Sequence, residues 1–261
     1  MSSSSPPRVD YDGHQHRVYA DARRHAQETR ALWREAMARH VGGRTIRSVL
    51  DVGAGTSRFS GELADVCDAS VFALEPSAGM RSEARRTLDH PRVAQLGGDA
   101  LALPIATGCV PLVWMSMVIH HLPSLAPCVR ELRRVLEPGG LAMIRSAFRD
   151  VHLESTFYGF FPAARRLDLA RLPAVDEVVT CFEREGFRTE RVDCLRQTVD
   201  ARLADFERRM QSRPYSTFEL MSEPEIDEGM RALAEATRAE PERPVYEHVH
   251  LLSFSAPGGG G

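Results

Sequence analysis

Val49-Leu50-Asp51-Val52-Gly53-Ala54-Gly55-Thr56-Ser57-Arg58-Phe59 decides the reading of this chain. An apolar run enters an Asp and a Gly-x-Gly turn, and a helical pattern follows. Gly53 and Gly55 permit positive φ and leave no Cβ in the way of a ligand, while the amides that open the next helix face the same space. Taken alone the turn is weak, because many strand-to-helix connections use two glycines for conformational reasons only.

The blocks downstream give it meaning. Val71-Phe72-Ala73-Leu74-Glu75 reads as a second buried strand, ending in a carboxylate twenty residues after Gly55, where an acid can accept from both hydroxyls of a ribose. Val93–Leu96 reads as a third, followed by Gly97-Gly98-Asp99-Ala100-Leu101-Ala102-Leu103-Pro104 with another acid at a strand end. Val110 to Leu122, carrying Ser116 and the pair His120-His121, reads as a fourth. A helix over Ser124–Leu136, with Leu125, Val129, Leu132 and Leu136 on one face, carries Leu132-Arg133-Arg134-Val135-Leu136 into Glu137-Pro138-Gly139-Gly140-Leu141. Strands alternating with helices from Arg47 onward imply parallel strands joined by right-handed crossovers.

These five blocks, in this order and spacing, resemble the class I S-adenosylmethionine-dependent methyltransferases, in particular the small-molecule, type 11-like branch. The resemblance covers about residues 46–147. It implies an α/β fold with a doubly wound, mostly parallel seven-stranded sheet, and S-adenosylmethionine as cofactor, leaving as S-adenosylhomocysteine. It implies that Asp51, Gly53, Ala54, Gly55, Glu75, Pro76, Met80, Asp99, Ala100, Leu101 and Ser116 surround that cofactor. Glu75 takes the ribose, Asp99 and the amides after it take adenine, and Ser116 lies near the amino acid part. Where the family usually has a third glycine this chain has Ser57, a small residue expected to serve as a helix N-cap. Arg58 is expected to support the helix face.

The same turn also opens nicotinamide-dependent dehydrogenases. That fingerprint wants its third glycine at the position of Arg58, where a bulky cation would crowd the packing of helix on strand. It also leaves the Asp99 block and the Pro138-Gly139-Gly140 turn without a role. A further alternative is a non-catalytic protein of this fold whose helical insert binds a partner. Retention of Gly53, Gly55, Glu75 and Asp99 weighs against it.

Outside the core, residues 1–9 and 256–261 read as disordered tails rich in Ser, Pro and Gly. Residues 10–45 read as a helical cap in which Trp33, Met37 and Val41 form one apolar seam. The core spans 46–196, including an aromatic, loop-rich segment around Phe157-Tyr158-Gly159-Phe160-Phe161 and a helix from Ala174 to Glu185 closed by Gly186. Phe187–Leu195 and 245–255 read as the last two strands. Roughly fifty residues separate these strands, far beyond a hairpin loop. That insert, 197–244, carries Val199, Leu203, Phe206 and Met210 on one amphipathic helix. Ile226, Met230 and Leu233 mark a second, opened by Ser222-Glu223-Pro224-Glu225 in capping-box spacing. It is expected to be a lid.

His120 sits where the fourth strand opens and is the candidate general base, acting only if the nucleophile begins protonated. The alternative is that the His120-His121 pair merely orients a loop. Tyr11, Tyr19, His121, Phe157 and Tyr158 are expected to line the acceptor or close over it. His14 and His16 beside Asp10 and Asp12 suggest a metal, but a tail without fixed ligands argues for none. The reaction implied is in-line displacement onto a small-molecule acceptor, perceived as a specialised metabolite or peptide-derived compound.

Composition bounds the partners. The chain has 261 residues, 43% apolar and 26% charged, with a formal net charge of −3. Its cations are all arginine. No broad basic face for nucleic acid follows from that balance. The scattered cysteines Cys67, Cys109, Cys128, Cys181 and Cys194 read as reduced thiols. The longest apolar run, Cys109–Ile119, is too short to span a bilayer, and no secretory leader is recognised. The expectation is a soluble cytoplasmic monomer or homodimer that binds neither nucleic acid nor membrane.

Overall fold

A computed structural model describes residues 27–150 and 155–258. Helix α1 (Gln27–Val41) leads into β1 (Ser48–Val52), α2 (Ser60–Cys67), β2 (Ser70–Leu74), α3 (Ala78–Thr87), β3 (Val93–Leu96) and β4 (Val110–Ser116). A 3-10 turn at Ile119–His121 precedes α4 (Leu125–Val135) and β5 (Leu136–Ser146). Then come α5 (Thr156–Phe160), α6 (Pro162–Arg171), α7 (Val175–Arg184), β6 (Arg188–Asp200), α8 (Leu203–Met210), α9 (Glu223–Ala239) and β7 (Val245–Ser255). The seven strands form one sheet in the order β3-β2-β1-β4-β5-β7-β6. β1 to β5 pair in parallel, and β7 runs antiparallel to both β5 and β6. The doubly wound, mostly parallel α/β sheet expected from the alternation is therefore the observed fold.

Both faces of the sheet are covered, which is why its central strands read as continuous apolar runs. On one face Leu50, Val113, Met115 and Ile144 pack with Cys128, Val129, Leu132 and Val135 of α4 and with Val178 and Phe182 of α7. On the other, Val49, Val71, Leu112, Trp114 and Met143 pack with Trp33, Ala36 and Met37 of α1 and Leu63 and Ala64 of α2. The end of α1 is pinned by His40, whose Nδ1 lies 3.0 Å from Ser253 Oγ and whose Nε2 lies 3.2 Å from Asp193 Oδ2. That Ser-His-Asp arrangement is a structural tie, because Ser253 is fully buried in β7.

Two element boundaries differ from the periodic reading. Leu136 shares the apolar phase of α4, yet it opens β5 and pairs with Val110. Pro138 pushes the residue before it toward extended backbone, so the helix ends early. Val199 was in phase with the insert's first helix, but it lies in β6, whose ladder with β7 continues through Thr198↔Tyr246 to Asp200↔Val245. Ladder hydrogen bonds there outweigh a helical spacing that a single valine cannot distinguish. The segment expected to be loop-rich around Phe157 is α5 and α6.

β6 runs in the direction of β5, so residues 201–244 leave from the edge at which the parallel strands end. They do not fold alone. Leu203, Phe206, Met210, Ile226 and Leu233 share a third apolar core with Phe157, Phe161 and Ala164 of α5 and α6. Phe157 stacks on Phe161 at 4.9 Å and meets Tyr215 at 4.6 Å and Phe218 at 5.4 Å. Beneath these rings Asp168 accepts from Tyr158 Oη (2.7 Å), Thr217 Oγ1 (2.8 Å) and Arg171 Nε (2.8 Å), which satisfies a buried carboxylate. We call this unit, α5, α6 and residues 203–239, the cap. Ser222 opens α9 at the expected capping position, where Glu225 Oε2 reaches back to accept from the Ser222 amide at 2.9 Å and from its Oγ at 2.8 Å. No described helix is long and apolar enough to cross a membrane.

Gly229 shows how tightly the cap is closed. An added Cβ there would lie 2.2 Å from Phe161 Cδ1 and 2.9 Å from the Phe160 carbonyl. Alanine within a helix normally stabilises relative to glycine by about 1 kcal/mol. Here overpacking reverses the sign, and Gly229→Ala is expected to destabilise by about 1–3 kcal/mol in denaturant unfolding. A neutral or stabilising result would show that α9 does not rest on Phe161.

Candidate cofactor and acceptor site

The site is built where β1 and β2 end. Gly53 and Ala54 donate their amides to the Leu74 carbonyl at 2.8 and 3.0 Å, and Glu75 donates its amide to Leu96 at 3.0 Å, so the three strand ends are stepped together. Gly53 and Gly55 take φ of 69° and 57°. A Cβ on Gly53 would meet Val118 Cγ2 at 2.5 Å, whereas one on Gly55 would meet nothing within 4 Å. The first glycine is required by packing and the second borders open space. Glu75, 7% exposed, holds the turn: Oε2 accepts from the Gly55 amide and Oε1 from the Ser77 amide, each at 2.9 Å. Ser77 then caps α3 by accepting from the buried Met80's amide at 3.1 Å.

Ser57 departs from its expected role. It stands in the left-handed region at φ 60°, so the backbone keeps a glycine-like conformation at some strain. It does not cap α2; the residue at that position is Phe59, without a side-chain cap bond. The buried Ser57 Oγ instead accepts from Gln95 Nε2 at 2.7 Å, tying the loop to β3. Asp51 lies under the loop, where its Oδ2 accepts from Ser60 Oγ at 2.7 Å. Burial, opposed by the Ser60 bond and assisted by the nearby Glu75 charge, pushes its carboxyl up to about 7.

Asp99, after β3, is exposed, and its Oδ1 accepts from the Leu101 amide at 2.9 Å in an Asx turn. Ala100 is buried and Leu101 packs against the core. The rest of this loop is anchored from α4: Glu131 accepts from the Leu103 amide, and Arg134 donates to the Leu103 and Ile105 carbonyls at 2.9 and 2.7 Å. Pro76 is exposed, and its carbonyl and that of Glu75 both accept from Arg81 at 2.7 Å. Glu75 and Asp99 thus stand on neighbouring strand ends at one edge.

Ser116 ends β4. It is followed by Met117 at φ 58°, a second strained non-glycine residue at this edge, and strain of this kind collects at functional sites. The 3-10 turn then carries His120 and His121, both half-buried, with ring centroids 4.1 Å apart. Behind Ser116 lies Arg145, which the sequence reading passed over although an arginine inside Leu141-Ala142-Met143-Ile144-Arg145 was a visible signal. Arg145 is 1% exposed. It donates to Ser116 Oγ and to Gln197 Oε1, each at 3.2 Å, and its guanidinium lies 4.3 and 4.9 Å from the Trp33 and Phe59 rings.

Phe157 and Tyr158 point into the cap's own core, and burial beside Asp168 pushes the Tyr158 phenol up. Arg58 lies over the Phe59 ring at 5.2 Å. Tyr11, Tyr19, His14, His16, Asp10 and Asp12 lie outside the described residues. Among the described residues no three His, Cys, Asp or Glu side chains converge as metal ligands.

Residues 50–144 match the family described as Methyltransferase domain. The match holds the glycine turn, Glu75, Asp99 and Ser116. Among curated proteins, the biotin biosynthesis bifunctional protein BioHC of Cellvibrio japonicus is 40% identical over 97 residues, 37% of this chain and 19% of that protein. The demethylmenaquinone methyltransferase of Beutenbergia cavernae is 34% identical over 113 residues, 43% of this chain and 46% of that one. The chain therefore spans less than half the length of these two relatives. Among solved structures, an Anabaena variabilis protein described as a methyltransferase from an antibiotic biosynthesis pathway superposes with a TM-score of 0.68. It is 21% identical, and the match covers 85% of this chain and 96% of that one. Residues 50–144 of this chain thus match a methyltransferase domain, and the fold of the chain is that of the solved methyltransferase structure.

The raised Asp51 carboxyl has a consequence for stability. Between the usual carboxylate range and pH 7 the folded protein holds a proton that the unfolded chain has released, so stability falls as pH rises through that window. The slope is on the order of 1 kcal/mol per pH unit at its steepest. Asp51→Asn keeps an acceptor for Ser60 and removes the titration. It is expected to flatten the pH dependence of denaturant unfolding between pH 5 and 8 and to be the more stable protein at pH 8. Parallel slopes for the two proteins would place the titrating group elsewhere.

Proposed function

We propose that the protein transfers a methyl group from S-adenosylmethionine to a small-molecule acceptor. The observation that carries this reading is the Glu75 carboxylate bonded to the Gly55 amide, with open space over Gly55 and Asp99 on the neighbouring strand end. These residues fit the cofactor: an acidic strand end for vicinal hydroxyls, an Asx turn beside a buried alanine for a purine edge, and a Cβ-free turn over which a chain can lie. S-adenosylmethionine, when bound, supplies a methyl already activated by its sulfonium charge. What the protein must add is alignment of the acceptor and exclusion of water.

The roles divide by strand. Glu75 orients the ribose end, Asp99 with the Ala100 and Leu101 backbone orients the base, and Gly53 to Gly55 carry the amino acid part. Asp51 holds the start of α2. His120, on the turn after β4, is the group we assign to accept a proton from an oxygen or nitrogen nucleophile. The cap leaves the sheet through β6 from the edge where the parallel strands end, and we assign it the selection of a largely apolar acceptor, a specialised metabolite or a peptide-derived compound. The named relatives act on a demethylmenaquinone and in biotin biosynthesis, which supports a small-molecule acceptor class. Residues 10–45 and 197–244 are assigned to closing the site, and a cytoplasmic monomer or homodimer without nucleic-acid or membrane partners is the setting we infer.

Calorimetry with S-adenosylmethionine tests the cofactor assignment. Glu75→Ala and Asp99→Ala are each expected to weaken binding by about 1–3 kcal/mol, the loss when a ligand's polar group is left unpaired. Gly55→Ala, which fills the open space and strains the turn, is expected to weaken it as well. Wild-type affinity in all three, with folding intact, would remove the site.

The base is tested separately once an acceptor is found. His120→Ala is expected to lower turnover by about 10²–10⁴ while leaving cofactor affinity unchanged, and to abolish the acid limb of the pH–rate profile. Wild-type turnover across neutral pH would leave alignment as the whole of the chemistry.

A further inference from the structure

The end of β4 is flanked by charges of opposite sign. On one side of it Glu75 follows β2, next to β1, where the buried Asp51 carboxyl is bonded to Ser60. On the other side, one strand over, Arg145 is buried in the second-to-last position of β5. An arginine keeps its charge in any protein environment, and burying that charge costs several kcal/mol unless the surroundings answer it. The groups that answer it here include neutral oxygens and ring faces: Ser116 Oγ, Gln197 Oε1, Trp33 and Phe59. Gln197 Oε1 also accepts from Trp33 Nε1 at 2.5 Å, and Glu247 reaches this network through the Gln197 amide.

Ser116 is the member of this network that meets the site. The pairing Val52↔Met115 sets it level with Gly53, the first residue of the cofactor turn. It is half-buried, whereas the strand residues before it are buried. Its oxygen accepts from Arg145 at 3.2 Å, so its own O–H remains a donor. A guanidinium behind a hydroxyl polarises that proton away from itself, which strengthens donation to an anion and opposes a cation. The hydroxyl is also held in place: Met117 is kept at φ 58° by its amide bond to the Arg145 carbonyl, 2.8 Å long.

We propose that Ser116 binds a carboxylate and that Arg145, acting through it, is the positioning residue that selects carboxylate over ammonium. The inference rests on the reading of the Gly53–Gly55 turn as the cofactor site. The carboxylate is that of the cofactor's amino acid part or one carried by the acceptor. In the first case the sorting of charge along the edge orients a zwitterion, with its ammonium toward the carboxyl groups of β1 and the end of β2 and its carboxylate toward β5.

The test compares binding of S-adenosylmethionine with binding of its decarboxylated analogue by calorimetry. It uses the wild-type protein, Ser116→Ala, Ser116→Thr, Arg145→Lys and Arg145→Gln, each checked for folding by thermal unfolding. A second arm titrates benzoate and benzamide against the same proteins, both free and saturated with S-adenosylhomocysteine. If the carboxylate is the cofactor's, the wild type prefers the carboxylated compound by roughly tenfold or more, the worth of one hydrogen bond to a charged group. Ser116→Ala and Arg145→Gln then bring that ratio near one, while Ser116→Thr retains it. If the carboxylate is the acceptor's, the first ratio is near one throughout, and benzoate is preferred over benzamide only where the Ser116 hydroxyl and Arg145 charge are both kept. Absence of carboxylate preference in both arms of the wild type, or its survival in Ser116→Ala, overturns the proposal. Should Arg145→Gln not fold, Arg145→Lys and Ser116→Ala decide. If the wild type binds neither adenosyl compound, the cofactor reading itself has failed, and the benzoate arm on the free protein still decides the carboxylate site.

Discussion

One carboxylate holds the functional edge together. Glu75 lies at the end of β2, but its oxygens accept amides from Gly55 and Ser77, one on the turn after β1 and one at the start of α3. Without that acceptor, the turn would have to satisfy the Gly55 amide some other way, and two glycines at positive φ have many ways to relax. The strand ends around it are stepped by backbone bonds from Gly53 and Ala54 to Leu74 and from Glu75 to Leu96. Those bonds exist only because β1, β2 and β3 are parallel neighbours in register. The sheet's topology and the site's electrostatics are therefore one constraint seen at two scales.

Two of the four described non-glycine residues at positive φ stand at the same edge. Ser57 and Met117 adopt left-handed backbone without being glycine, one in the turn after β1 and the other directly after β4. Each is over-determined by its neighbours, Ser57 through Gln95 and Met117 through the Arg145 carbonyl. Conformations of this kind cost of order 1–3 kcal/mol each and survive where packing enforces them. Far from this edge, the sheet interior is ordinary close-packed hydrocarbon.

The cap follows different rules. Its cohesion comes from an aromatic cluster and a satisfied buried carboxylate, Asp168, and its attachment to the sheet runs through β6, β7 and the Thr156 hydroxyl on the Tyr246 carbonyl at 3.3 Å. It is assembled from two stretches of chain distant in sequence, 156–171 and 203–239. Such a body can vary while the strand-end edge stays unchanged, which is how loops and insertions on a shared fold diversify function.

Much of this was legible from the order of residues. The glycine turn, the acids Glu75 and Asp99, the alternation of strand and helix and the capping box at Ser222 are local or fixed-spacing signals, and each depends on backbone geometry within a few residues. Boundaries at Leu136 and Val199 were not legible, because a single apolar residue fits both a helical and a strand phase until its ladder partner is known. Nor was the role of Ser57, whose conformation is set by β3 through Gln95. Only the tertiary structure could bring Trp33, Phe59, Ser116, Arg145, Gln197 and Glu247 into one network, since they come from six separate stretches of chain. Local sequence determines which strands form and what chemistry ends each of them. Which buried charge stands behind which hydroxyl is decided by strand order and register, and these depend on how the whole sheet shares its hydrogen bonds and buries its two faces.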